Sequence, residues 1–289
     1  MECACEAGEG LRKRGCGMCL GWTVRAVGVR DRLKGDVAGL RVQEKHARGR
    51  RMPDLIQCPK NVEEGMMLPM RIAVLMTCYN RVETTLSCLK YLFVARLPKG
   101  VVFDVWLNDD GCTDGTGEKC RAFFSEKKRI GWQGDVHVLK GSGHDYWCGG
   151  MRRAWVAAID SGMDYDGYLW LNDDTFLNED ALAELLISEQ ALVVGAISAS
   201  DGVSDTYGGY DAKGDVVKHN GTVQEVERVN GNVVWVPRKV FEKIGNFDSH
   251  WTHALGDGDY SLRVREAGMQ ILLTANFVGQ CERNLKLAD

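Results

Sequence analysis

The chain has 289 residues, of which 45% are hydrophobic and 26% charged, an ordinary balance for a soluble globular protein with room for one large α/β domain. A formal net charge of −4 removes the electrostatic reason to expect nucleic acid as a partner. No run approaches the roughly 18 consecutive apolar residues that a membrane span requires, and Ala191–Ala199 is among the longest apolar stretches.

The N-terminus, Met-Glu-Cys-Ala-Cys-Glu, is acidic and lacks the basic-then-apolar order of a secretory signal, so a cytoplasmic protein is the default expectation. Peripheral attachment at the inner face of a membrane stays open. Up to Pro69 there are 13 Lys or Arg against 9 Asp or Glu, whereas the remainder holds 23 against 31. The first part is basic, rich in Gly and Arg, and without sustained periodicity, which is the composition of a disordered tail. Met66, Met67 and Met70 directly precede the first strand pattern, so an artefactual extension upstream of the natural start stands as the alternative to a genuine flexible one. The expected organisation is residues 1–69 as this extension and 70–289 as the folded domain. Of 11 cysteines, Cys3, Cys5, Cys16, Cys19 and Cys58 fall in the extension. Cys16 and Cys19 form a CxxC that, with Cys3 and Cys5, could offer four thiolates to zinc, but the spacing is short and no second CxxC follows. Cys78, Cys88, Cys112, Cys120, Cys148 and Cys281 lack paired spacing and read as reduced thiols packed as small apolar groups.

From Arg71 strand and helix patterns alternate. Ile72–Thr77 is an apolar run suited to a buried parallel strand, and Glu83–Ala95 has helical spacing with Leu86, Leu89, Leu92 and Phe93 on one face. Val101–Leu107 predicts a strand, Asp114–Lys127 a helix and Val136–Leu139 a third strand. A Gly-rich loop at 141–150 then precedes a helix through Met151–Ile159. Tyr168–Leu171 predicts a fourth strand and Glu179–Ser188 another helix. Beyond Ala191 the order loosens: Tyr207–Lys218 suggests a hairpin with turns at Gly208-Gly209 and Lys213-Gly214, Asn232–Val236 a strand, and Asp257–Ala267 the last clear helix. This alternation implies an α/β fold, a mostly parallel central sheet with helices on both faces.

Ligands of open parallel sheets bind at the carboxyl ends of the strands, and polar clusters sit at three of those ends. They are Thr77-Cys78-Tyr79-Asn80-Arg81, Asn108-Asp109-Asp110-Gly111-Cys112-Thr113-Asp114-Gly115 and Asn172-Asp173-Asp174-Thr175. Paired carboxylates ending a buried strand can hold a hard divalent cation that shares a substrate diphosphate, and Asp173-Asp174 suits this better than Asp109-Asp110. The plainer reading is a pair of turn or helix-capping carboxylates, which is the first reading for Asp114.

Taken in order, these clusters resemble the family 2 glycosyltransferases, inverting enzymes of GT-A fold that use nucleotide-diphosphate sugars; the resemblance runs from Arg71 to Asn284. It implies that Thr77, Tyr79 and Arg81 lie in the first donor loop, with Thr77 and Tyr79 at the nucleobase. Asp110 would accept a hydrogen bond from the base, with Asp109 nearby, in a signature where Cys112 replaces the usual Ser. Asn172-Asp173-Asp174 stands in the place of the Asp-x-Asp metal motif, with Asn first, so Mn2+ or Mg2+ would fall mainly to Asp174 with Asp173 in support. Tyr146-Trp147-Cys148-Gly149-Gly150-Met151-Arg152-Arg153 resembles the segment over the donor sugar and diphosphate. There Trp147 could stack on sugar or be buried, and Arg152 and Arg153 could contact phosphate or stay solvated. Gly256-Asp257-Gly258-Asp259-Tyr260-Ser261-Leu262-Arg263 resembles the Glu-Asp-x-Asp-Leu-x-x-Arg helix start. Gly256 replaces the Glu, and Asp257 takes the role of catalytic base. Just before it, Trp251 could stack on a sugar ring or be buried in the core, and His250 and His253 could assist at the acceptor or metal site or be structural or surface histidines.

The implied partners are a nucleotide-diphosphate sugar donor and a saccharide or lipid-linked saccharide acceptor, in surface polysaccharide or glycoconjugate synthesis. Members commonly continue past the position of Asp289, so a shortened acceptor side is expected. A sugar-1-phosphate nucleotidyltransferase would want a Gly-rich basic loop after the first strand, where this chain has Thr-Cys-Tyr-Asn-Arg. A non-catalytic sugar-nucleotide-binding partner subunit draws support only from Asn172 and Gly256. A dinucleotide-dependent dehydrogenase is excluded by the absence of G-x-G-x-x-G after the first strand.

Overall fold

The computed structural model describes residues 69–283. The expected extension at 1–69, with its five cysteines, therefore lies outside the described residues apart from Pro69. Strand β1 (Met70–Cys78) is followed by α1 (Val82–Val94), β2 (Val101–Asp109), α2 (Thr116–Arg129), β3 (Val136–Lys140), α3 (Tyr146–Asp160) and β4 (Gly167–Leu171). There follow β5 (Phe176–Leu177), α4 (Ala181–Leu185), β6 (Leu192–Ser198), β7 (Asp205–Tyr207), β8 (Gly209–Tyr210), β9 (Gln224–Glu225) and β10 (Arg228–Val229). The described part closes with β11 (Val233–Pro237), α5 (Arg238–Ile244), α6 (Gly256–Glu266) and β12 (Ile271–Gln280).

The main sheet runs β3-β2-β1-β4-β11-β6-β12-β5, with β7 on β6 and β9 on β12. β3, β2, β1 and β4 are mutually parallel, as the alternating pattern predicts. β11 lies antiparallel between β4 and β6, and β6 and β12 are again parallel. The sheet is thus mixed and mostly parallel.

The period-two pleat of β1 divides the core. Ile72, Val74, Met76 and Cys78 face a layer with Cys88, Leu89 and Leu92 of α1, Cys120 and Phe124 of α2, and Leu182 and Leu185 of α4. Ala73 and Leu75 face the opposite layer, with Met151, Ala154 and Trp155 of α3 and Tyr260 and Val264 of α6. Helices therefore cover both faces. At the amino end of the sheet, the Arg71 guanidinium donates to both oxygens of Asp104, whose side chain is 1% exposed. Tyr165 and the Asp135 N–H also donate to Asp104, and Trp106 donates to Tyr165. The buried carboxylate is saturated with donors, and removing its arginine would cost about 3–5 kcal/mol.

Several elements differ from the sequence expectation. Helix α3 begins at Tyr146, so Gly149 and Gly150 lie inside a helix instead of a loop. Helix packing explains the glycines: a Cβ on Gly150 would stand 2.2 Å from Thr77 Oγ1, so its absence lets α3 lie against the ends of β1 and β2. Helix α4 is shorter than predicted. The expected hairpin at 207–218 is reduced to a Tyr210–Val216 bridge around the turn at 211–215, and β8 pairs instead with β10. Strands β6 and β12 and helix α5 form in the region where the sequence pattern loosens.

Candidate active site

Strands β1, β2 and β4 run in one direction, so the loops that follow them emerge at one edge. Three non-glycine residues among those described have positive φ, and all belong to the motif loops or the helix starts beside them. They are Asn80 after β1 (φ 49°), Tyr146 opening α3 (φ 52°) and Leu255 before α6 (φ 71°). Left-handed backbone at non-glycine residues is costly and persists where its surroundings fix it.

Those surroundings are explicit. Asn80 Oδ1 accepts from the Thr113 N–H at 2.7 Å, tying the first loop to the second. Asp114 Oδ2 accepts from the Val82 N–H and its Oδ1 from Thr116, so this carboxylate serves the starts of both α1 and α2. Asp110, almost fully buried, accepts from the backbone N–H groups of Gly143, Asp145 and Tyr146 and so anchors the loop that leads into α3. Asp109 turns the other way, accepting from the Cys112 N–H at 2.9 Å. Thr77 lies at the end of β1 within 3.4 Å of Asn108, whereas Tyr79 is 54% exposed on the rim.

At the end of β4 the two carboxylates are held by one cation. Arg81 Nη1 donates to Asp173 at 2.9 Å and Nη2 to Asp174 at 2.8 Å. The second oxygen of Asp173 accepts from Thr85, so both its oxygens are engaged. Burial pushes the Asp173 carboxyl up to about 6, against the opposing pull of Arg81. Asp174 keeps Oδ1 buried and without a hydrogen-bond partner. Asn172 accepts from the Trp147 indole N–H at 2.6 Å and donates to Asn232 Oδ1 at 3.2 Å. An aspartate there could not donate, which gives a physical reason for Asn in the first place of this motif.

Trp147 is accordingly packed edge-on against Trp170 and Phe247, with Gly231 leaving room for its ring. Arg152 Nη1 donates to the carbonyls of Asp248 and Trp251, latching the segment before α6 onto α3. Arg153 pairs with Asp145 at 2.7 Å, a carboxylate the sequence reading did not single out; its signal was its place directly before α3. Tyr146 and His253 lie ring to ring at 5.4 Å, so His253 does reach the α3 start.

Asp257 occupies the first turn of α6. Its Oδ2 accepts from the Gly231 N–H at 3.0 Å and its Oδ1 from Gly258 at 2.9 Å. Burial raises its carboxyl above the ordinary value, against those two hydrogen bonds. Asp259, two residues on, is paired with Arg263 at 2.9 Å. Gly256 is also accounted for: a Cβ there would stand 2.3 Å from Cys148 Sγ, so α6 can approach α3 only with a glycine at the position where the resembled motif has Glu. The structure thus places Thr77, Asp109 and Asp110 at the ends of β1 and β2, joins Arg81 to Asp173 and Asp174 at the end of β4, and sets Asp257 against Gly231, next to the Asn172–Asn232 contact.

No family model and no curated protein matches this sequence. Solved structures do. The mannosyltransferase PcManGT from Pyrobaculum calidifontis, in complex with GDP-Man and Mn2+, superposes with a TM-score of 0.53 at 13% identity, covering 74% of this chain and 57% of its own. GalNAc-T7 with UDP, GalNAc and Mn2+ gives 0.56 at 13% identity, over 75% of this chain and 44% of that one. TarS from S. aureus gives 0.51 at 15% identity, over 74% and 37%. The fold is that of the GT-A glycosyltransferases. At these identities the likeness is one of fold, and this chain spans little more than half, or less, of each chain it resembles.

The donor set at Asp174 is compatible with a divalent cation. Its unpartnered Oδ1 is a hard oxygen at a strand end, and Mg2+-type ions are commonly held by one or two carboxylates plus substrate phosphate. Asp173 is less available, since Arg81 and Thr85 occupy both of its oxygens. Among the described residues, no helix is long and apolar enough to cross a membrane.

Proposed function

We propose that this chain is an inverting glycosyltransferase of the family 2 type, moving a sugar from a nucleotide-diphosphate donor to an acceptor hydroxyl. The observation that carries the reading is the position of Asp257. It is a carboxylate set into the fold by two backbone N–H groups, one of them from Gly231, beside the Asn172–Asn232 contact that adjoins the Asp173–Asp174 pair.

Asp257 takes the acceptor hydroxyl proton as that oxygen attacks the anomeric carbon. The bond from carbon to the diphosphate oxygen breaks on the opposite face, so a single displacement inverts the configuration. Desolvation raises the basicity of the Asp257 carboxylate relative to a free one, which suits a general base. Asp174 would hold Mn2+ or Mg2+, which when bound supplies charge neutralisation to the leaving diphosphate. Arg81 keeps the two carboxylates oriented. Thr77, Tyr79, Asp109 and Asp110 form the donor side, with Asp110 acting through the 143–146 backbone it organises. Trp147 and Arg152 shape the segment over the sugar. The acceptor is a saccharide or lipid-linked saccharide, the class of acceptor used in surface polysaccharide or glycoconjugate synthesis.

The test is a thermal-shift titration with UDP-, GDP- and dTDP-sugars, with and without Mn2+. One donor is expected to stabilise the protein in a Mn2+-dependent way, and Asp174→Ala is expected to lose that dependence while keeping its own melting transition. Equal Mn2+-dependent stabilisation of Asp174→Ala would place the metal elsewhere.

A further inference from the structure

We propose that Cys78, Asp109 and Cys112 form a binding site for a thiophilic divalent cation of the zinc class, separate from Asp174. The three residues come from different places: Cys78 ends β1, Asp109 ends β2, and Cys112 lies in the loop before α2. Their ligand atoms all lie within 4.8 Å of one another. Two sulfurs and one carboxylate oxygen suit zinc, whereas magnesium and manganese prefer all-oxygen sets.

The spacing separates this reading from a disulfide. Cys78 Sγ and Cys112 Sγ are 4.0 Å apart. Tetrahedral zinc with Zn–S bonds of about 2.3 Å sets two sulfurs about 3.8 Å apart. A disulfide needs about 2.05 Å and hence a closure of roughly 2 Å. The pair stands at the metal-bridged distance with little adjustment.

The surroundings hold the ligands in place. The Asn80 N–H donates to Cys112 Sγ at 3.2 Å, and the Cys112 thiol donates to the Cys78 carbonyl at 3.6 Å, a hydrogen bond that an arriving ion replaces. The Cys112 N–H donates to Asp109 Oδ1 and fixes the orientation of the carboxylate. Room for that carboxylate exists because residue 117 is glycine: a Cβ there would lie 1.9 Å from Asp109 Oδ2. The carboxylate thereby sits beside the first turn of α2, a 14-residue helix whose amino end favours negative charge. Cys112 is partly exposed and gives an ion a way in, while Cys78 is buried. A thiol must lose its proton to bind such an ion, so uptake expels up to two protons and strengthens as pH rises. Packing as small apolar groups explains Cys88 and Cys120, both fully buried. Cys78 and Cys112 differ from them in standing with a carboxylate around one point, Cys112 only partly buried.

Cys78 lies between Thr77 and Tyr79, and Asp109 adjoins Asp110. An ion here would clamp the loops assigned above to the donor, so zinc would lower donor affinity; this consequence rests on the proposed function, whereas the site itself does not.

The experiment uses the full chain with Cys3, Cys5, Cys16, Cys19 and Cys58 replaced by serine, titrated with Cd2+ in a non-thiol reductant. Expected are a thiolate-to-cadmium charge-transfer band saturating at one ion per chain, proton release, and displacement by Zn2+ but not by Mg2+. Cys112→Ser is expected to abolish the band, and Asp109→Asn to weaken uptake, with circular dichroism checking that both variants fold. A band that persists in Cys112→Ser, or the lack of a stoichiometric band, would overturn the proposal. In parallel, Zn2+ is expected to reduce the donor-induced thermal shift of this serine-substituted chain and to leave that of Cys112→Ser unchanged. A donor shift insensitive to zinc alongside an intact cadmium band would overturn the coupling to donor binding and leave the site standing.

Discussion

At the scale of single residues, the roles of Asp257 and Asp259 are separated by their partners. Asp259 is committed to Arg263 one helical turn on, whereas Asp257 accepts only backbone N–H groups and its carboxyl is raised by burial. Asp257→Asn keeps an acceptor for the Gly231 N–H but removes the basicity. Turnover is expected to fall about a hundredfold to ten-thousandfold at saturating donor, with donor affinity retained. Asp259→Asn is expected to keep near-normal turnover, and the reverse result would move the base to Asp259. The pH profile has a defined sign. A base works when deprotonated, so turnover falls as pH drops through the raised Asp257 value, and this acid limb lies above the ordinary carboxylate range. Asp257→Asn is expected to remove the limb from its residual rate. The identities of these residues were legible in the sequence, since each stands in a motif at a strand or helix end. Their partners were not. Asp110 is saturated by N–H groups more than thirty residues away, and the Arg81 contact to Asp173 and Asp174 spans some ninety. No local pattern encodes such contacts.

At the scale of elements, legibility followed periodicity. Helices α1 and α2 and strands β1 to β4 are legible to within a few residues, because helical apolar spacing or short apolar runs mark them. Strand β6 is a run of seven buried residues, and an apolar run of that length does not by itself distinguish strand from buried helix. Strand β12 mixes Thr, Asn and Gln with apolar residues and carries register shifts between Leu273 and Gly279, so no alternation survives in its sequence. The start of α3 was missed because Gly149 and Gly150 weaken helix propensity, and the reason for them is tertiary. Gly150→Ala would place its methyl 2.2 Å from Thr77 Oγ1 and 2.9 Å from Asn108 Nδ2. Despite better intrinsic helix propensity, this variant is expected to lose about 1–3 kcal/mol of stability from overpacking. Urea denaturation would measure it, and a gain in midpoint would show that the helix is not pinned to the sheet ends.

In the molecule as a whole, the described residues contain a core on both faces of the sheet and all five motif segments. A chain beginning at Met70 is expected to match the full chain in melting temperature and turnover. A clear loss in either would show that the extension contributes to the domain. The fold class was legible from strand-helix alternation, while the antiparallel insertion of β11 between β4 and β6 was not, because strand order depends on connections that sequence patterns do not report.

In the proposed reaction the loops at the strand ends bind a nucleotide-diphosphate sugar and Asp257 drives its transfer. The most direct measurement is release of nucleoside diphosphate from a panel of UDP-, GDP- and dTDP-sugars with Mn2+ and saccharide acceptors, for the full chain and for Asp257→Asn. Diphosphate release is expected with at least one donor, dependent on acceptor and reduced at least about a hundredfold in Asp257→Asn. Tight donor binding without release across the panel would contradict the proposed reaction in favour of a non-catalytic binding subunit, and pyrophosphate formed from a nucleoside triphosphate and a sugar phosphate would contradict it in favour of a nucleotidyltransferase.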